Sequence, residues 1–300
     1  MLFIWFAHVF CLEFATAFTH FAQMKRRSTI LVSVVFATVL TSNLPVRADE
    51  AGEERYRRCV DMIDRSPDKS INLALEWQAS GGGVPARHCE ALGLVELGEY
   101  AEAAARLMRI AEDIRVGRGM PVLGDQRLVA NATLIADMYG QAANAWLLAD
   151  EIVRAEDAVE LALSVVPAGT PQHRELLVDR ARIAAADNDF EYALQDLEAV
   201  LASDQNRTDI LVLVAAAARS LGQYNRAEDA LTRYRKTYPD HTAGLLELGN
   251  LRHAQGRRDD ARKAWLDLLR FSVEGEDADA ARANLAKLDM HIATSEDSKN

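Results

Sequence analysis

From residue 84 onward, apolar and small side chains return at helical spacing. Leu211, Val214, Ala215 and Ala218 form one stripe, and Ala227, Ala230 and Leu231 form another after a short polar break, which predicts two amphipathic helices joined by a turn. The pair recurs along the chain. Ala103, Ala155, Ala193, Ala227 and Ala261 hold the same place in the pattern, and the last three are spaced 34 apart. Twelve residues before each stands another small residue: Ala91, Ala143, Ala181, Ala215 and Gly249. Two positions per unit thus admit only minimal volume, as close contact between two helices demands. The expected fold is all-α, a solenoid of stacked helix hairpins.

The junctions within the units carry turn chemistry. Leu97-Gly98-Glu99-Tyr100, Leu221-Gly222-Gln223-Tyr224, Asn188-Asp189-Phe190 and Gly256 fall where the first helix should stop, and Pro167 and Pro239 fall where the second should. With small residues at positions 8 and 20 and a turn near 15, this pattern resembles the tetratricopeptide repeat. The units that resemble it are 84–117, 136–169, 174–207, 208–241 and 242–275. A capping helix is expected over 276–291 (Ala281, Leu285, Leu288) and a polar, flexible tail over 292–300. Residues 49–83 read as a degenerate N-terminal capping hairpin with helices at about 51–65 and 69–80 and with Leu73, Leu75 and Trp77 as core candidates. Residues 118–135 interrupt the array: Gly119-Met120-Pro121 and Gly124 predict a loop, followed by helix from about Gln126. The run through Cys59, Trp77, Gly81-Gly82-Gly83 and Ala86-x-His88-Cys89 resembles exported bacterial tetratricopeptide proteins.

Export is the expectation from the N-terminus. Read from Met24, Lys25-Arg26-Arg27, the apolar run Ile30 to Leu40 and Val46-Arg47-Ala48 follow the order of a secretory signal peptide, with cleavage expected after Ala48. Residues 1–23 are read as an upstream mis-start. The rival reading is an uncleaved apolar segment, which would hold the protein at the inner membrane; a periplasmic location follows from the first. Charge narrows the partners. The formal net charge is −11, and residues 1–48 hold four of the basic side chains and one of the acidic ones, so the remainder is more acidic still. With charges interspersed along helices, no basic footprint for nucleic acid is present, and a membrane partner is expected only if the leader is uncleaved.

No His-Glu-x-x-His, Gly-x-Ser-x-Gly, phosphate-binding glycine loop or dinucleotide fingerprint occurs, so no catalytic residue and no cofactor is expected. Histidines 88, 173, 241, 253 and 291 are read as surface or capping residues, and acid pairs such as Asp259-Asp260 as helix-start charges. Cys59 and Cys89 are the cysteines that remain beyond residue 48. The resemblance places them on adjacent first helices, where they can pair in an oxidising compartment; no metal set is expected, because further ligands at suitable spacing are missing.

The resemblance also implies a binding surface, since first-helix positions 2, 5, 9 and 12 face the concave side of such arrays. Asn144, Arg182, Arg219, Asn250 and His253 are the candidates: the Asn side chains suit a peptide backbone and the Arg pair a carboxylate. The family's clamp for C-terminal carboxylates needs Lys at position 5 of the Asn-bearing unit and Asn at position 6 of the next. Here Gly140 and Asp179 stand there, so that mode is not expected. The functional expectation is a non-enzymatic scaffold of the bacterial envelope that binds a protein or peptide. The other readings are a module for a cell-wall glycan fragment, stacking on Trp146, Tyr100 or Tyr224, and a membrane-tethered assembly factor.

Overall fold

A computed structural model describes residues 46–120, 122–123, 126–127 and 131–297. The expected leader lies outside the described residues except for Val46–Ala48, and residues 298–300 of the expected tail lie outside them too. Helices α1 (Val46–Asp61) and α2 (Pro67–Ala79) make an N-terminal hairpin, followed by α3 (Gly83–Glu96) and α4 (Tyr100–Arg115). After an insertion come α5 (Ala132–Leu148) with α6 (Ile152–Val165) and α7 (Pro171–Ala186) with α8 (Phe190–Ser203). The array continues through α9 (Leu211–Ser220) with α10 (Tyr224–Thr237) and α11 (Thr242–Ala254) with α12 (Arg258–Phe271), and ends on α13 (Glu276–Asp297).

One backbone device closes every hairpin from α3 onward. The second residue after the first helix is left-handed in all five: Gly98 (φ 80°), Asp150 (59°), Asn188 (64°), Gly222 (71°) and Gly256 (77°). The next amide then reaches back five residues, as in Glu99 N–H to the Leu94 carbonyl (2.9 Å) and Arg257 N–H to that of Arg252 (2.8 Å). These bonds satisfy carbonyls that the helix end would otherwise orphan.

The helices of a hairpin meet over the two small positions. Ala91, Ala143 and Ala215 are fully buried beside the equally buried Ala103, Ala155 and Ala227. Against them, position 24 of each unit supplies bulk: Leu107, Val159, Leu197, Leu231 and Trp265, none more than 2% exposed. Arginines tie the units together from outside. Arg180 of α7 holds Asp196 of α8 with two bonds of 2.8 Å and Glu160 of α6 at 2.7 Å, and Arg207 reaches Glu175 of α7 at 2.6 Å.

The array curves toward its first helices. First helices pack on one another across α1–α3, α5–α7, α9–α11 and α11–α13, whereas no second helix packs on its counterpart to the same extent. The inner, concave face is therefore lined by first helices.

Four features differ from the sequence expectations. The N-terminal helix spans Val46–Asp61, not 51–65, because the chain tightens into turns over 62–65 ahead of Pro67. Leu75 is 45% exposed, since Ser70, Ala74 and Trp77 occupy the inward stripe of α2 and a residue one step from Ala74 points away. In the insertion, Val122–Leu123 (β1) pairs antiparallel with Gln126–Arg127 (β2), so no helix starts at Gln126; α5 starts at Ala132, where the Asn131 side chain accepts from Thr133 N–H at 2.8 Å. Helix α13 runs on through Asp297, past the expected end of the cap at 291, because neither Gly nor Pro follows Gly275 to stop it.

Candidate functional site on the first helices

The inner face carries a polar seam built across neighbouring first helices. At its N-terminal end, the Tyr56 hydroxyl of α1 meets His88 Nδ1 of α3 at 2.7 Å, and His88 Nε2 meets Gln141 Oε1 of α5 at 2.8 Å. His88 is thus half-buried inside a three-helix contact, not a surface or capping residue, and burial pulls its pKa below the ordinary histidine value against the opposing effect of Gln141. The N-terminal hairpin is anchored beneath. The sulfurs of Cys59 and Cys89 lie at disulfide distance with Cα atoms 6.3 Å apart, and the fully buried Ser70 donates to the Cys59 carbonyl at 2.8 Å.

The middle of the seam joins α5 to α7. Asn144 donates to the Gly140 carbonyl at 3.2 Å and also bonds the carboxylate of Asp179, which accepts from Arg182 Nη1 at 2.8 Å. Gly140 is small for a reason: a Cβ there would stand 2.9 Å from Leu176 Cδ2, where α5 and α7 approach. Nearby, Gln172 Nε2 of α7 donates to Asp137 Oδ1 of α5 at 2.5 Å and to the Thr133 carbonyl at 2.8 Å.

A second charged contact joins α9 to α11. Arg219 grips Glu247 with Nε to Oε1 at 2.7 Å and Nη2 to Oε2 at 3.3 Å. Asn250 also bonds Glu247, and its Oδ1 accepts from Asn284 of α13 at 3.0 Å. His253 is exposed, its ring tilted over Trp265 at 5.8 Å.

Burial sets the electrostatics. It raises the pKa of Asp179 and of Glu247, and the facing arginines only partly oppose it; Asp137 is pushed up to about 6 by burial, against its bond from Gln172. Between the charged pairs, α9 offers half-buried Val212, Leu213 and Ala216 at positions 5, 6 and 9 of its unit. The face therefore offers an apolar step flanked by two arginine–carboxylate pairs. Among the described residues no group of three or more His, Cys, Asp or Glu is placed to hold a metal ion.

All five candidate residues lie on first helices, as positions 9 and 12 require. The structure brings Asn144 together with Arg182 and Asn250 with Arg219, each couple sharing one carboxylate, while His253 stands apart. Asp179 and Glu247, with Gln141, were the parts of this network that the candidate set left out. Their signal was present as a polar residue at position 6, three before the residue at position 9, the spacing that puts both on one helix face. Of the aromatics considered for stacking, Trp146 is buried under Arg154 (4.7 Å from its ring centroid), Tyr100 is half-buried, and Tyr224 is 36% exposed.

An α-solenoid of left-handed-capped hairpins with small residues at 8 and 20 defines a class of repeat protein. The chain has the tetratricopeptide fold. It superposes on a tetratricopeptide repeat protein from Parabacteroides merdae with a TM-score of 0.62 at 13% identity, covering 82% of this chain and 89% of that one. Pseudomonas aeruginosa pilF superposes with a TM-score of 0.54 at 15% identity over 79% of this chain and 98% of its own. For BtubC (BKLC) from P. vanneervenii the TM-score is 0.52 at 13% identity, over 75% and 89%. No protein-family model matches the chain, and no curated protein matches it in sequence.

Proposed function

We propose that the protein is a non-catalytic interaction scaffold that binds a protein or peptide segment along the inner face of its first helices. The observation that carries this reading is the apolar step of α9, Val212, Leu213 and Ala216, held between the Asp179–Arg182 and Arg219–Glu247 pairs on the curved side of the array. A segment with one apolar side chain and flanking polar groups suits such a surface. Because Arg219 already serves the buried carboxylate of Glu247, its role toward a partner is to fix its orientation rather than to supply a full ion pair.

The setting we propose is the bacterial envelope, reached through a signal peptide over 24–48, with the domain order of capping hairpin, five units, cap and tail. The leader pattern and the facing Cys59 and Cys89 support an oxidising compartment. Among the described residues no helix is long and apolar enough to cross a membrane. Cell fractionation tests the location: recovery in the membrane fraction with the leader intact points to the tethered form.

Cross-linking in intact cells, followed by capture with an Ala216→Arg/His253→Glu variant, tests the groove. Both substitutions alter the inner face without breaking an ion pair. The expected result is loss of the cross-linked partner while circular dichroism stays that of the parent; undiminished capture removes the inner face from consideration.

A further inference from the structure

Four guanidinium groups converge on one crevice in a chain whose formal net charge is −11. It lies beside the hairpin of α3 and α4, has a volume of about 420 Å³, and is lined by Arg87, Arg106, Arg109 and Arg118 together with three carboxylates, Glu90, Glu112 and Asp113. This is away from positions 5, 9 and 12 of the inner face, and it adjoins the one place where an insertion interrupts the array.

The carboxylates of the crevice already have partners: Glu112 accepts from Arg115 at 2.6 Å on one oxygen and from the Tyr139 hydroxyl on the other. Asp113 accepts from Arg87 at 2.5 Å on one oxygen and from Arg118 at 2.8 Å on the other. Glu90, 3% exposed, takes Arg106 at 2.9 Å and Gln78 at 2.8 Å on its two oxygens. The cations are not equally satisfied. Arg109 donates Nε to the Ala105 carbonyl of its own helix, and its nearest carboxylate, Glu102, stands at 3.7 Å, beyond hydrogen-bond reach. Arg106 Nε is buried without a hydrogen bond, although Glu102 Oε1 is 3.0 Å away, because the oxygen lies off the N–H direction. Each guanidinium has five N–H donors, more than the bonds to Asp113, Glu90 and the Ala105 carbonyl use among the described residues.

The chain that follows Arg118 is fixed in place. Val84 N–H donates to the Gly119 carbonyl at 2.9 Å, which pins the start of the insertion to the N-terminus of α3. The approach is possible only without side chains, since a Cβ on Gly83 would overlap the Gly119 oxygen and one on Gly119 would stand 2.8 Å from Arg87 Nη2.

We propose that this crevice is a binding site for a small oxyanion, a carboxylate or a phosphate group carrying one or two charges. Guanidinium groups pair with both by parallel N–H···O bonds. A polyanion is disfavoured by the acidic remainder of the molecule, which repels it at long range.

The test is calorimetric titration of the full chain at low ionic strength with succinate and, separately, with inorganic phosphate, comparing the parent with Arg109→Gln and Arg109→Gln/Arg118→Gln. Both side chains are mostly exposed, at 67% and 74%, so the variants keep their fold, as circular dichroism will verify. Arg270→Gln, at a side chain 79% exposed on α12, controls for a general loss of positive charge. The expected result is saturable binding of one anion per chain, weakened at least tenfold in the double variant and unchanged in the control; the tighter of the two anions identifies the chemistry. Absence of saturable binding of either anion, or equal binding by parent and double variant, overturns the proposal. So does an equal loss in the control.

Discussion

Trp265 fills the space that Gly249 leaves open: a Cβ on Gly249 would overlap Nε1 and Cδ1 of the indole. The other units pair Ala at position 8 with Leu or Val at position 24, so volume is conserved across the contact as one side shrinks and the other grows.

Replacing Gly249 by Ala should therefore destabilise the C-terminal unit by about 2 kcal/mol, the overpacking cost exceeding what Ala returns in helix propensity. Gly249→Ala/Trp265→Leu restores the pairing of the other units and should recover most of the loss. Urea unfolding of the three proteins measures this, and a double variant less stable than Gly249→Ala alone would show that the two positions do not compensate.

At the left-handed turn position, three units use Gly but two use Asp150 and Asn188, at φ 59° and 64°. A side chain in that region is strained, Asp more than Asn. Asp150→Gly should raise stability by roughly 0.5–1 kcal/mol after the entropy of Gly is deducted, and Asn188→Gly by less. Thermal unfolding will rank them; a fall in midpoint for Asp150→Gly means that its side chain does something the backbone argument omits.

The hairpins were legible because their rules are local and repeat: small residues at 8 and 20 and a turn near 15. What repeats can be read from one chain. The insertion was not legible beyond its loop, because nothing periodic constrains it, and the two-residue ladder of Val122–Leu123 and Gln126–Arg127 is too short for a pattern. The inner face was half legible. Register arithmetic picks out Asn144, Arg182, Arg219 and Asn250, yet whether an arginine faces a partner or a neighbouring helix depends on the residue across the groove. For Arg219 that residue is Glu247, 28 positions away.

Arg219 and Glu247 form a pair that is costly to break from one side. Glu247 is 5% exposed, so Arg219→Ala leaves its charge buried without a counter-ion, at a cost of roughly 3 kcal/mol. Arg219→Ala/Glu247→Leu removes both charges and should regain most of that. A double-mutant cycle by chemical denaturation measures the coupling, and additive losses would remove the pair from any account of stability.

Cys59 and Cys89 are 30 residues apart and both fully buried. If they are bonded in the folded protein, Cys59→Ser/Cys89→Ser should cost roughly 3–4 kcal/mol in the chain-entropy account, with the N-terminal hairpin released first. Non-reducing electrophoresis of the protein isolated from cells, with alkylation of free thiols, checks the bond. Two alkylatable cysteines in the native, unreduced protein would count against it.

Asp137 supplies a pH dependence whose sign follows from burial. Its carboxyl titrates at about 6 in the folded chain, above its ordinary value of 3.8, so the folded state binds the proton more tightly than the unfolded one. Stability therefore falls as pH rises through the window from 3.8 to about 6, and the cost is fully present above it. A rise of that size corresponds to at most about 3 kcal/mol, and partial exposure brings it to on the order of 1 kcal/mol. Asp137→Asn keeps an acceptor for Gln172 Nε2, which now sits at 2.5 Å, while removing the charge. It should stabilise the protein at pH 7 and leave it unchanged at pH 3.5. Asp179 and Glu247 are raised in the same direction, so the parent retains some pH dependence from them; the difference between parent and variant across the window isolates Asp137. Equal stabilisation at both pH values would assign the gain to packing rather than to the proton.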